Sequence, residues 1–188
     1  MLEKFLSKKR AEMINKLIPL SHRKGRILDI GCGNFSFFLI NTNFREKYGI
    51  DKMITDDKKE KNMFIKKYDI EKEGLKFFEN NYFDTVTMLA VFEHLDPILL
   101  LGAIKEVKRV LKPEGVFILT TPAPWSNAIL QILAKLKMIN PDMIKEHKIL
   151  YSIEDISAIL SEAGFLKEYI TFGNFELFMN NWSMAVNK

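Results

Sequence analysis

The chain has 188 residues, 47% of them apolar and 28% charged, with a formal net charge of +4. That length and balance suit one domain with a substantial core and exclude a disordered or fibrous chain. No apolar run approaches the roughly 20 residues of a spanning helix, and the single cysteine, Cys32, excludes an internal disulfide and argues against a cysteine zinc site.

The start, Met1-Leu2-Glu3-Lys4, lacks the uninterrupted apolar core of a signal peptide, so a cytoplasmic location is the default expectation. Charge is uneven along the chain. Through Arg26, eight basic residues stand against two acidic ones, and the remainder carries a small negative balance. Such a leader could meet a phosphorylated substrate, a membrane surface or RNA, or serve as a solvated helix face.

Leu2, Phe5, Leu6, Met13, Ile14, Leu17 and Ile18 recur at helical spacing, which predicts an amphipathic helix within residues 1–24, stopped by Pro19 and lying near the site mouth. Arg26 to Ile30 then reads as a short buried strand that breaks at Gly31 and Gly33 into a turn able to open a helix. Glycine permits left-handed backbone angles and close approach of a ligand. An α/β sheet presents nucleotide-sized ligands at such a place, the carboxyl edge of its strands. Asp29, Gly31 and Gly33 are therefore candidates for the floor of a cofactor site, with Cys32 a small residue between the glycines. A dinucleotide fingerprint would need a third glycine where Ser36 stands.

Phe37 to Ile40 continues as an apolar helix, ended by Asn41-Thr42-Asn43, and Lys47 to Asp51 reads as a second strand ending in an acid. The two oxygens of Asp51 could accept hydrogen bonds from both hydroxyls of a ribose; the competing role is a helix N-cap before Lys52 and Met53. Met53 could lie against an adenine ring. The charged segment Asp56 to Asn62 predicts a short exposed helix or loop, and Met63 to Ile65 with Tyr68 to Ile70 a third strand and its margin. Thr85 to Ala90 has the composition of a central strand, and His94 follows its carboxyl end, where it could act as a base or orient a substrate.

Asp96-Pro97 opens a helix with Ile98, Leu101, Ile104, Val107, Val110 and Leu111 as its core stripe. Lys112 to Gly115 is a turn and Val116 to Thr121 a fifth buried strand. Trp125 to Ile139 reads as a further helix, and the segment 122–151, with His147 and Tyr151, is a candidate substrate lid whose apolar residues favour a partly greasy substrate. Ser152 to Asp155 forms a capping box for a helix ending at Ala163-Gly164. The aromatic-rich remainder (Tyr169, Phe172, Phe175, Phe178, Trp182) predicts two strands around Gly173-Asn174, its rings serving as core or dimer surface. No repeat or linker divides the chain, so one domain over 1–188, monomeric or homodimeric, is expected.

Leu28-Asp29-Ile30-Gly31-Cys32-Gly33-Asn34 resembles the first motif, D-x-G-x-G-x-G, of the class I S-adenosylmethionine (SAM) dependent methyltransferases, with Phe35 in place of the last glycine. Phe83-Asp84-Thr85-Val86 followed by Val91-Phe92-Glu93-His94-Leu95 resembles the fourth-strand motif of its small-molecule, type 11-like branch, and the L-K-P-E-G turn is similar as well. The resemblance implies a single-domain, doubly wound, Rossmann-like α/β fold with a mostly parallel central sheet and an antiparallel C-terminal edge strand. It implies SAM as cofactor and S-adenosylhomocysteine as product. Asp29 and the backbone around Gly31, Gly33 and Ala90 would hold the methionine end, Asp51 the ribose and Asp69 the adenine, with Glu71 and Glu73 as competing alignments for Asp69; Cys32, Lys52, Met53, Ile70 and Glu93 are further cofactor-binding candidates.

For an oxygen nucleophile, His94 is the first candidate base, His147 the second and Tyr151 the third. Relatives with an E-x-x-E-H metal arrangement need an acid where Ala90 stands, so no metal is expected. The acceptor implied is a small molecule, lipid-like or a glycan precursor. Two alternatives stay open: a SAM-binding partner subunit without chemistry, and an RNA methyltransferase drawn by the basic leader. Against RNA, no N-P-P-Y-type motif follows the fourth strand, and Phe5 is the sole aromatic in the first 26 residues. A weak membrane-surface contact through the basic helix is the remaining partner expectation.

Overall fold

A computed structural model describes residues 2–126, 131, 149–175 and 179–188. Its centre is an eight-stranded sheet in the order β3-β4-β2-β1-β5-β6-β8-β7. The strands are β1 (Arg26–Ile30), β2 (Glu46–Asp51), β3 (Lys58–Glu60), β4 (Met63–Lys67), β5 (Phe83–Leu89), β6 (Leu111–Pro122), β7 (Ile170–Phe175) and β8 (Asn180–Val186). The five inner strands β4, β2, β1, β5 and β6 run parallel, while β3, β8 and β7 join antiparallel. The antiparallel C-terminal edge expected from the sequence is thus a pair, and a third antiparallel strand closes the opposite edge.

Helices cover both faces, which is why the inner strands read as near-continuous apolar runs. Alternate residues divide between two cores. Leu28, Ile30, Val86, Met88, Phe117 and Leu119 meet α4 (Pro97–Val110) and α5 (Ile153–Glu162). Ile27, Ile65, Val116 and Ile118 meet α1 (Leu2–Leu17) and α2 (Phe37–Ile40) through Ala11, Ile14, Phe38 and Leu39. Register then aligns the strand ends: Ile30 lies opposite both Ile50 and Met88. From β1 the chain builds outward through β2 to β4 on one side and then crosses back from β4 to β5 on the other, and ligands bind at such a switch point in open α/β sheets.

Several expectations are corrected. The segment after Asp56 contains a strand: Lys58 to Glu60 pairs with Met63 to Ile65, and Lys61 takes a left-handed φ of +45° between them. All three strand residues are exposed, so backbone pairing rather than burial holds them, and charge on an edge strand conceals it from a hydrophobicity pattern. In α4, Ile98 is 89% exposed. The Asp96 side chain caps its amide in the first turn, and the buried stripe runs instead through Leu100, Ala103, Ile104, Val107 and Val110. Phe5 of α1 is likewise exposed, while Ala11 is buried.

Gly173 and Asn174 lie inside β7 rather than between the last two strands. A Cβ on Gly173 would stand 2.5 Å from the Trp182 ring, so the glycine makes room for the indole instead of forming a turn. Both bonds of the expected capping box are present in α5, Asp155 N–H to Ser152 Oγ at 3.1 Å and Ser152 N–H to Asp155 Oδ2 at 2.9 Å. Most of the expected helix Trp125 to Ile139, most of the 122–151 lid and Phe178 lie outside the described residues; Trp125 and Ser126 fall in a short 3-10 turn, Pro124–Ser126. Among the described residues, no helix is long and apolar enough to cross a membrane.

Candidate active site

Four strand ends and the turns after them surround a cleft of about 610 Å³, within the usual range for small-molecule sites. Its floor is the turn after β1. Gly31 (φ +76°) donates to the Ile50 carbonyl at 2.8 Å, and Gly33 (φ +66°) donates to Asp51 Oδ2 at 2.9 Å. A Cβ on Gly31 would stand 2.2 Å from Val91 Cγ2, so this glycine is needed for close packing as well as for its backbone angle. A Cβ on Gly33 would meet nothing within 4 Å, which leaves the space over the second half of the turn open.

Asp51 ends β2. Its Oδ1 accepts from the Met53 amide at 2.7 Å while Oδ2 holds Gly33. No helix follows it, so the carboxylate bridges two turns instead of capping a helix, and each oxygen keeps a lone pair for a further donor. Lys52 and Met53 line the same wall. Tyr68, Asp69, Ile70 and Glu71 line the next. Asp69 caps α3 (Ile70–Glu73) by accepting from the Glu71 amide at 3.1 Å, and its Oδ2 lies 3.4 Å from Lys72 Nζ. Glu71 Oε1 accepts from the Asp96 amide at 2.6 Å and its Oε2 lies 3.9 Å from Lys52 Nζ, so the rim is tied to the start of α4.

The opposite wall follows β5. Ala90 takes a left-handed φ of +56° and its amide is shared by the carbonyl and hydroxyl oxygens of Thr120, at 3.0 and 3.1 Å. That turn presents Val91, His94 and Leu95 to the cleft, with the His94 amide donating to the Val91 carbonyl at 2.9 Å.

Of the residues expected from the sequence, the cleft brings together Gly31, Asp51, Lys52, Met53, Asp69, Ile70, Ala90 and His94. Asp29, Cys32, Gly33 and Glu93 do not line it. Asp29 is buried one layer beneath, accepting from Thr87 Oγ1 at 2.6 Å; burial pushes its carboxyl up to about 7, against the Thr87 bond and with a further push from Asp51. Cys32 faces Ser36 Oγ at 3.6 Å, and burial, then the Asp29 charge, raise its thiol to about 12. Glu93 is only 1% exposed and neither oxygen reaches another residue's donor. Burial raises it to about 7, with the Arg10 guanidinium of α1 pulling the other way.

Tyr151 is also buried, its ring edge-on to Phe92 at 5.1 Å, outside the cleft lining. His147 lies outside the described residues. The cleft also includes Ile30, Ile50, Tyr68, Val91 and Leu95, which no sequence signal singles out as site residues, and Glu71, the competing alignment for Asp69; each adjoins an expected residue. Register explains this: every strand end at one sheet edge contributes its flanking residues too. Phe35 is 87% exposed and absent from the lining, so the side chain in place of the motif's last glycine stays clear of the cleft.

A family profile described as "Methyltransferase domain" matches residues 2–168. The chain belongs to this family. With it the protein is a class I methyltransferase, an enzyme type whose methyl donor is SAM. No curated protein matches the sequence. Among solved structures, a SAM-dependent methyltransferase from Archaeoglobus fulgidus is 19% identical with a TM-score of 0.67, over 98% of this chain and 99% of that one. A possible histamine N-methyltransferase from Thermotoga maritima is 17% identical with a TM-score of 0.70, over 98% and 90%. A phosphoethanolamine N-methyltransferase from Haemonchus contortus, in complex with phosphomonomethylethanolamine and S-adenosylhomocysteine, is 15% identical with a TM-score of 0.66, over 95% and 52%. At these identities the likeness is one of fold.

The methyltransferase's cleft fits its cofactor. The left-handed turn at Gly31, the free lone pairs of Asp51 and the apolar surfaces of Ile50, Tyr68 and Ile70 suit a nucleoside with a charged tail.

Proposed function

We propose that this methyltransferase transfers the methyl group of SAM to an oxygen, nitrogen or carbon of a small molecule, lipid-like or a glycan precursor. The observation that carries this reading is the placing of Asp51 and His94 on the walls of one cleft at the switch point of the sheet. SAM supplies a methyl group already activated on a positively charged sulfur. The protein's work is then orientation and exclusion of water.

In this reading Asp51 accepts from the two ribose hydroxyls, Asp69 from the adenine amino group, and Met53, Tyr68 and Ile70 flank the ring. The left-handed turns at Gly31 and Ala90 bring backbone to the methionine end, and Asp29 supports the floor from below. Lys52 and the Glu71 carboxylate form the rim. For an oxygen acceptor, His94 takes the proton. The printed names of two structural neighbours, a possible histamine N-methyltransferase and a phosphoethanolamine N-methyltransferase, also support an acceptor with a polar group. The protein works as a single cytoplasmic domain, as a monomer or homodimer.

Calorimetry with SAM and S-adenosylhomocysteine on wild type and Asp51→Ala tests the cofactor roles. Labelled SAM incubated with small-molecule and RNA fractions of an extract tests the acceptor. Absence of wild-type SAM binding overturns the reading, label in RNA alone overturns the acceptor class, and binding with transfer to neither identifies a non-catalytic partner subunit.

A further inference from the structure

Phe35 to Ile40 is apolar on both sides of a very short helix. Phe38 and Leu39 are buried beneath α1, and Ser36 anchors the segment to the glycine turn by donating to the Gly33 carbonyl at 3.3 Å. Phe35, Phe37 and Ile40 face outward, with Ile40 61% exposed. Core packing uses one side of α2, so the other side is a fixed apolar protrusion with no partner among the described residues.

Cations surround it. Lys58 Nζ lies 3.3 Å from the Asn34 carbonyl at one end of α2, and Lys47 Nζ donates to the Leu39 carbonyl at 2.8 Å at the other. Behind it, α1 packs on α2 through Ala11 and Ile14 and carries exposed Lys16, together with exposed Lys8 and Lys9, which share Glu12 at 4.0 and 3.3 Å and so bring a net charge of +1 between them. Asp57, near Lys58 in sequence, turns its carboxylate to the Lys67 amide.

We propose that the tip formed by Phe35, Phe37 and Ile40 seats the protein on an anionic lipid surface. The three side chains enter the headgroup region while Lys58 and the lysines of α1 meet lipid phosphates. The lysines beside the tip favour an anionic surface, and an interface between lipid and water requires no preformed pocket. The tip begins two residues after Gly33, whose amide holds Asp51, so it adjoins the turn after β1. The docking itself does not depend on which acceptor is methylated.

Sedimentation of the full chain with vesicles tests this. Wild type is expected to sediment with phosphatidylcholine vesicles containing about one-third phosphatidylserine and to remain in solution with pure phosphatidylcholine. The double variant Phe35→Ser/Ile40→Ser is expected to bind about tenfold or more weakly, with unchanged melting temperature and SAM binding. Lys58→Glu is expected to weaken binding severalfold, the loss shrinking as salt is raised. Absence of wild-type binding, or equal binding by the double variant, overturns the proposal. So does a wild-type dimer in solution that the double variant converts to monomer, because the tip is then a subunit interface.

Discussion

The amide of Gly33 donates to Asp51 Oδ2 at 2.9 Å, which fixes the turn after β1 against the end of β2 and holds the carboxylate toward the cleft. One residue thus serves both the floor of the site and its wall. Substituting Asp51 should accordingly cost twice, once in lost ligand contacts and once in a freed turn.

Asp51→Ala is expected to weaken SAM binding by about 100-fold, from the loss of two hydrogen bonds of roughly 1.5 kcal/mol each. Asp51→Asn, which keeps one acceptor oxygen, should lose less. Titration calorimetry distinguishes the two, and equal affinities for wild type and Asp51→Ala would remove the residue from the ribose role.

Two buried carboxyls tie stability to pH. Burial raises Asp29 and Glu93 to about 7 from their ordinary values of 3.8 and 4.5, so the folded state binds more protons than the unfolded state between those limits. Stability is therefore greatest below about pH 4 for these two groups and falls as pH rises through 7. Asp29→Asn removes its share, up to about 4 kcal/mol, while leaving an acceptor for Thr87. Urea unfolding at pH 5 and pH 8 should show the variant gaining on wild type at the higher pH. A constant difference across that range would contradict burial as the cause.

Cys32 should resist thiol reagents in the folded enzyme. Its sulfur is buried and its thiol raised to about 12, so the reactive thiolate is scarce at pH 8. Labelling should be slow until denaturant is added, and immediate reaction of native protein would show the turn to be open.

Leu100→Ala should destabilise by roughly 2–5 kcal/mol and Ile98→Ala by less than about 0.5 kcal/mol. Denaturant midpoints separate them. Similar losses at both positions would restore Ile98 to the core.

For an oxygen acceptor, His94→Gln should lower kcat by roughly 100-fold or more while leaving SAM affinity near that of wild type. An unchanged turnover rate would take His94 out of the proton-transfer step.

Much of the fold was legible because its signals are local. The apolar run before Gly31, the acid at the end of β2, the Asp96-Pro97 start and the Ser152 capping box each depend on a few adjacent residues. What escaped the sequence depends on distant partners. β3 exists because Met63 to Ile65 offers a free edge, Gly173 is small because Trp182 lies over it, and Ile98 faces outward because the Asp96 cap sets the rotation of α4. In the site, motif matching located the strand ends but not the depth of each side chain. Asp29 and Glu93 belong to motifs yet lie below the surface that Tyr68 and Glu71 help to form.

The cleft is assembled from strands far apart in the chain. Asp29 and the Thr87 that bonds it are 58 residues apart in the chain, and both neighbours of β1 must be in place before the glycine turn has walls on either side. Closing so long a loop is slow compared with forming α1 or the β3–β4 hairpin. The cleft therefore has both walls only in the sheet that contains β5. A ligand that occupies the cleft then binds the completed sheet but not its precursors, and through mass action its binding energy holds the whole sheet together.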